Sequence, residues 1–173
     1  MTNNVHLQQD DITTAQVDAI INAANPQLLG GGGVDGAIHR AAGPALLEAC
    51  LQIDEVDGVR CPIGEARITP AGDLLARFVI HTVGPRYGID ENPSQRLEAA
   101  YRHSYELALA NGCKTLAVPA VSCGVYGYPL QEAATIAIDT SCQPAFADLD
   151  ITFYLFGDDI FQIFSSALAA RPY

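Results

Sequence analysis

NAANPQLLGGGGVDGAIHRAAG, residues 22–43, follows directly on the apolar run Val17–Ile21. The run reads as a strand, and the segment after it gathers amides, a proline, four consecutive glycines and one aspartate before an amphipathic helix. Gly30–Gly33 can take backbone angles closed to other residues and can let a ligand approach the main chain. The helix is expected to begin near Val34 or Asp35, where its unpaired N–H groups form an anion site. A strand, an amide-rich loop, a glycine loop and a helix N-terminus make a phosphate-binding arrangement, with the Asp35 carboxylate inside it.

Outward from that stretch the pattern alternates. Val5–Gln9 reads as a first strand, ending at Asp10-Asp11-Ile12-Thr13, and Val17–Ala23 as a strand buried on both faces. Val34–Ala42 repeats apolar residues at helical spacing. Pro44 opens a second helix with Leu46, Leu47 and Leu51 on its face, and Asp54–Pro62 is a loop. Ala66–Pro70 and Phe78–Val83 are strands around a Gly72-Asp73 turn. Ser94–Asn111 is the longest helix, with Ser94 as its cap, Leu97, Tyr101, Tyr105 and Ala108 along one stripe, and Asn111-Gly112 at its end. Thr115–Pro119 is a strand, Ala120–Tyr128 a second loop of small residues, and Pro129–Ser141 a helix. Ile151–Phe156 is a last central strand and Asp158–Ala170 a closing helix with Ile160, Phe161, Phe164 and Leu168 inward; Pro172-Tyr173 is expected to fray. Strands alternating with helices predict an α/β/α sandwich around a mixed, largely parallel sheet. In such sheets ligands sit beyond the strand C-terminal ends, so the loops Asn22–Gly36 and Ser122–Tyr128 face one cleft.

Composition bounds the function. The 173 residues suit one domain, and 49% of them are apolar, enough for a core. No apolar run approaches the ~20 residues of a membrane span, and Met1–Asp10 lacks the pattern of a signal peptide. Five cysteines without a C-x-x-C spacing predict reduced thiols in a cytoplasm, with neither a disulfide framework nor a zinc site. The net charge of −11, with nine Lys and Arg, argues against a broad nucleic-acid surface. It leaves room for a small phosphate ligand held by backbone N–H groups and helix dipoles.

NAANPQLLGGGGVDGAIHRAAG, HTVGP (His81–Pro85) and SCGVYGYP (Ser122–Pro129) together closely resemble the macrodomain family. Within it they resemble the MacroD-type O-acetyl-ADP-ribose deacetylases and mono-ADP-ribosylhydrolases. The resemblance spans essentially the whole chain and implies one macrodomain over residues 1–173, a three-layer α/β/α fold and an ADP-ribose cleft. It implies that Asp11 accepts from the adenine amino group, with Ile12 adding a backbone contact. Asn25 would hold the distal ribose, and Gly33, Val34 and Asp35 would border the diphosphate and that ribose. Ser122, Cys123, Gly124, Val125 and Tyr126 would wrap the diphosphate, and Phe156 would lie near the adenine. Two positions depart from the family pattern: Asp10 stands where Gly is common, and Cys123 where Thr is common.

The candidate chemistry centres on Asp35. A carboxylate at the glycine loop can orient or deprotonate a water that attacks an ester on the distal ribose. From spacing alone, a plain helix-capping aspartate fits equally well; the resemblance favours catalysis, with Asn25 beside it. Asn25 also fits an Asx turn before Pro26. Asn22 reads as a loop brace, His39 as a neighbour one turn from Asp35, and Cys123 as a small residue rather than a nucleophile. His6, His81 and His103 do not cluster as metal ligands. The expected reaction is hydrolysis of O-acetyl-ADP-ribose, extending to mono-ADP-ribose on acidic side chains of proteins, with no metal or cofactor and no membrane. A non-catalytic ADP-ribose reader is the main alternative, and a phosphatase acting on an ADP-ribose phosphate a third.

Overall fold

The computed structural model describes residues 4–171, so the Pro172-Tyr173 end lies outside the described residues. Six strands form one sheet: β1 (Val5–Gln8), β2 (Val17–Ala23), β3 (Ala66–Pro70), β4 (Ala76–Thr82), β5 (Thr115–Val118) and β6 (Asp150–Tyr154). Their order is β1-β6-β5-β2-β4-β3, parallel throughout except for the antiparallel edge pair β3–β4. Five helices accompany them: α1 (Gly33–Ala42), α2 (Pro44–Leu51), α3 (Pro93–Ala110), α4 (Leu130–Ser141) and α5 (Asp158–Ala169).

Period-two alternation along β2 explains the layers. Ala19 and Ile21 face a core built with Leu97, Tyr101 and Tyr105 of α3, Ala134 and Ile138 of α4 and Phe164 of α5. Ile20 faces the opposite side, against Ile38 and Ala42 of α1 and Leu46 and Cys50 of α2. A strand covered on both faces carries a near-continuous apolar run; β2 has the bounds expected of it, with Asp18 and Asn22 as its two polar residues. The result is the three-layer sandwich with a mixed, largely parallel sheet. No helix among the described residues is long and apolar enough to cross a membrane.

Several details differ from the sequence reading. Leu46 of α2 is buried, but Leu47 and Leu51 are exposed and Cys50 fills the second inward position; α2 covers the sheet with a stripe one residue wide. Ser94 does not cap α3. Pro93 takes the first helical turn, Asn92 is the N-cap with φ 50°, and no side chain caps the end. Of the four residues expected to point inward on α5, only Phe164 is fully buried, while Ile160, Phe161 and Leu168 pack at the core margin. β6 stops at Tyr154, leaving Phe156 in the following loop, 79% exposed.

Candidate functional site

β2, β5 and β6 are neighbours and parallel, so their C-terminal loops lie side by side along one edge of the sandwich. The loop after β2 leads through the glycines into α1. Gly30 and Gly33 use positive φ, 90° and 58°, whereas Gly31 and Gly32 do not. Gly36, one turn into the helix, matters through space: a Cβ there would stand 2.4 Å from the Gly31 carbonyl oxygen. The helix starts at Gly33, with Gly32 as N-cap and no side-chain cap. Gly36 N–H makes the bond to Gly32 O, so the N–H groups of Gly33, Val34 and Asp35 project from the helix end.

Across the cleft, the second loop is pinned from outside. Ser122, at φ 66°, donates from Oγ to Pro85 O at 2.7 Å. Tyr87 N–H donates to Tyr126 O at 2.8 Å, and Gly127 N–H closes a turn on Gly124 O. Gly124 has open space around it and Val125 is fully exposed. The Cys123 thiol donates to Val121 O at 3.5 Å, and burial pushes its pKa up to about 12. A thiol held protonated in this way is a weak nucleophile.

Two chambers lie between the loops. The larger, about 500 Å³, is lined by Asp11 and Ile12 after β1, by Tyr154 and Phe156 after β6, and by Cys123. The smaller, about 310 Å³, is lined by Asn25, Asp35, Gly84, Ser122, Val125 and Tyr126. Gly33, Val34, Ala120 and Gly124 line both, so the glycine loop and the second loop form the waist. Every candidate binding residue read from the sequence is on the wall of one chamber or the other. Asp10, beside Asp11, also lines the larger one.

The polar groups divide by role. Asp11 Oδ1 accepts from Thr13 N–H at 2.9 Å and from Thr13 Oγ at 2.8 Å, capping the 3-10 turn Ile12–Thr14. Asn25 braces its own loop, Oδ1 accepting from Gln27 and Leu28 N–H and Nδ2 donating to Gly30 O at 3.1 Å. Asp35 is 5% exposed, and its Oδ1 accepts from Asn22 Nδ2 at 2.8 Å. Its carboxylate therefore reaches across to β2 and does not cap its own helix. Burial raises its pKa, opposed by the Asn22 hydrogen bond and the charge of His39. His39 Nε2 comes within 3.5 Å of Asp35 Oδ1 but makes no hydrogen bond. Asn22, read from the sequence as a loop brace, is instead the direct partner of Asp35 and also touches His81 Nδ1 at 3.2 Å. That pairing depends on the β2–β4 register, which sets Asn22 opposite His81, a long-range fact with no local sequence signal. Among the described residues no group of three or more His, Cys, Asp or Glu is placed to hold a metal ion.

Comparison with known proteins agrees with this fold. The Macro domain family model matches residues 21–137. A macro domain-containing protein of Vibrio parahaemolyticus is 60% identical, the match covering 96% of this chain and 98% of that one. An O-acetyl-ADP-ribose deacetylase of Enterobacter cloacae is 50% identical over 99% of this chain and 97% of its own. The macrodomain of Oceanobacillus iheyensis, solved with ADP, superposes with a TM-score of 0.91 at 39% identity, covering 98% of this chain and 93% of that one.

Proposed function

This chain belongs to the macro domain family, and we propose that residues 1–173 form a single macrodomain that hydrolyses O-acetyl-ADP-ribose to ADP-ribose and acetate. The observation that carries the reading is the shape of the cleft: two chambers joined at a glycine waist, with one buried carboxylate in the smaller. ADP-ribose has the matching form, an adenosine and a second ribose joined by a diphosphate. The single-domain reading is supported by the pairing of β1 with β6, which ties the two ends of the chain into one sheet.

In this reading Asp11, Ile12 and Phe156 take the adenine in the larger chamber. The diphosphate lies across the waist, held by the N–H groups at the start of α1 beside Gly33 and Val34 and by the loop from Ser122 through Cys123, Gly124 and Val125 to Tyr126. The distal ribose enters the smaller chamber beside Asn25, whose Nδ2 has a second hydrogen to offer. Among the described residues the hydrogen bond to Asp35 falls on Oδ1, which leaves Oδ2 without one, and Asp35 lines the same chamber. It orients or deprotonates a water, which attacks the acetyl carbonyl; the ribose hydroxyl leaves with a proton and acetate departs. Burial makes that carboxylate a stronger base than an exposed one. Mono-ADP-ribose on an acidic side chain is also an ester of the distal ribose, and the same water chemistry extends to it. The free state of all five cysteines supports a cytoplasmic setting, and the charge of −11 supports a protein without a broad nucleic-acid surface.

The test is a time course of O-acetyl-ADP-ribose conversion, corrected for spontaneous hydrolysis, with wild type and Asp35→Ala in parallel. Turnover is expected in the wild type and a drop of roughly 10²–10⁴-fold in the variant, with ADP-ribose binding retained. A wild type that binds ADP-ribose and never turns the ester over is a reader and overturns the proposal.

A further inference from the structure

Behind Asp35 a file of buried polar side chains runs from the cleft into the sheet. Asn22 Nδ2 lies 2.8 Å from Asp35 Oδ1 and 3.2 Å from His81 Nδ1. His81 Nε2 lies 3.0 Å from Thr69 Oγ of β3 and 3.7 Å from Cys50 Sγ of α2. Asn22 and His81 are fully buried, and Thr69 is 4% exposed. Counting Asp35, five elements meet in this file, α1, β2, β4, β3 and α2, and of its members Asp35 alone lines the cleft chambers.

An amide has a donor side and an acceptor side, and the Asn22 chain alone does not decide which faces Asp35. A carboxylate only accepts, so the NH₂ must face it. The second hydrogen of that NH₂ then points at His81 Nδ1, which must be bare. A neutral ring with a bare Nδ1 carries its proton on Nε2, where Thr69 Oγ accepts it. Reversing the ring tautomer sets two donors against each other at Asn22 and turns the amide oxygen toward the carboxylate. We infer that His81 is a positioning residue for Asp35: with Thr69, it holds the Asn22 amide with its N–H groups toward the carboxylate, leaving Asp35 Oδ2 free for the cleft.

In this orientation Asn22 Oδ1 is buried without a hydrogen-bond partner among the described residues, so the amide is held through its NH₂ side alone. Burial, with a smaller push from His39, holds the His81 pKa down to about 3, so the ring is neutral across the working range. Burial and the Asp35 charge push the Cys50 thiol up to about 11, opposed by Arg60, so it stays protonated. The other groups facing Asp35 are His39 on its own helix and Tyr126 on the second loop, and His39 also faces His81 with ring centres 6.4 Å apart. None of them makes a hydrogen bond to the Asn22 amide, whose NH₂ is held between Asp35 itself on one side and His81 on the other.

The inference rests on Asp35 serving the proposed hydrolysis, but its primary test does not need turnover. The Asp35 carboxyl is titrated by ¹³C NMR in wild type, His81→Phe, His81→Asn and Thr69→Val. His81→Phe and Thr69→Val are expected to raise the Asp35 midpoint by roughly half to one pH unit, because a donor bond that opposes burial is weakened. His81→Asn, which restores an acceptor close to the Nδ1 position, is expected to return it toward wild type. With O-acetyl-ADP-ribose, kcat falls and its acid limb moves with the carboxyl midpoint while KM holds. Thr69→Val changes shape little and keeps the test open where His81→Phe fails to fold. An unchanged Asp35 midpoint in Thr69→Val or in folded His81→Phe overturns the inference, as does an equal shift in His81→Asn and His81→Phe. Absence of turnover in every protein, alongside the expected midpoint shifts, would sink the hydrolase reading and leave the positioning role standing.

Discussion

Asp35 carries an electrostatic cost that fits the role of a base proposed for it. Its carboxyl is buried and its pKa raised, so the folded chain binds that proton more readily than the unfolded chain does. The stability this contributes is full below the ordinary value of 3.8 and is lost as pH rises through the raised folded value. Near neutral pH the ionised group is therefore a net burden. Asp35→Asn keeps the shape and can still accept from Asn22, so it is expected to stabilise the protein near pH 7 by about 1 kcal/mol. For a chain of this size that is a rise in Tm of roughly 2–4 °C, and it should shrink as the pH approaches 4 while ester turnover is lost at every pH. Melting curves of both proteins across that range check the sign, and a lower Tm for the variant near pH 7 would contradict it. His81 works in the opposite direction. Its folded pKa of about 3 lies below the usual 6.5, so its contribution is present above 6.5 and is lost as the pH falls toward 3.

The element that decides the cleft is the glycine loop with the first turn of α1. Alanine is normally the better helix residue by about 1 kcal/mol, but at Gly36 the added Cβ would stand 2.4 Å from the backbone oxygen of Gly31. Gly36→Ala is therefore expected to destabilise the fold by about 1–3 kcal/mol and to weaken ADP-ribose binding by shifting the loop. Gly124 is the contrast. A Cβ there meets nothing within 4 Å, and the residue lines both chambers. Gly124→Glu should fold normally and abolish binding, because it sets a carboxylate at the waist; calorimetric titration beside a melting curve separates the two variants, and normal affinity in folded Gly124→Glu is falsifying. The same contrast shows what was legible in the sequence. The apolar stretch Ala19–Ile21 makes β2 legible although Asp18 and Asn22 interrupt the run on either side, and the glycine loop and the small-residue loop mark the cleft walls. The inward face of α2 is not legible in the same way, because its eight residues, PALLEACL, are apolar almost all round and offer no stripe to choose. Asn22 was read as a brace because its true partners stand 13 and 59 positions away, joined by packing and strand register rather than by local pattern.

Over the whole molecule, the charge of −11 sets a problem for a ligand with a diphosphate. Among the described residues no lysine or arginine lines either chamber, and Arg86, close to Tyr126 of the second loop, is engaged by Asp90 at 2.9 Å. Attraction must then come from backbone N–H groups at short range, while the net field at long range repels. Salt acts unequally on the two. The Debye length falls from about 30 Å at 0.01 M to about 10 Å at 0.1 M, which screens the distant repulsion and leaves contacts inside the cleft little changed. ADP-ribose is therefore expected to bind as tightly or more tightly as salt rises over that range, with the gain in the association rate. A protein that grips phosphates with lysine and arginine shows the reverse, because raising salt opposes counterion release. Stopped-flow and calorimetric titrations at several salt concentrations distinguish these cases. Affinity that weakens steeply with salt would mean that a side-chain cation reaches the diphosphate, and the backbone-held arrangement would have to be abandoned.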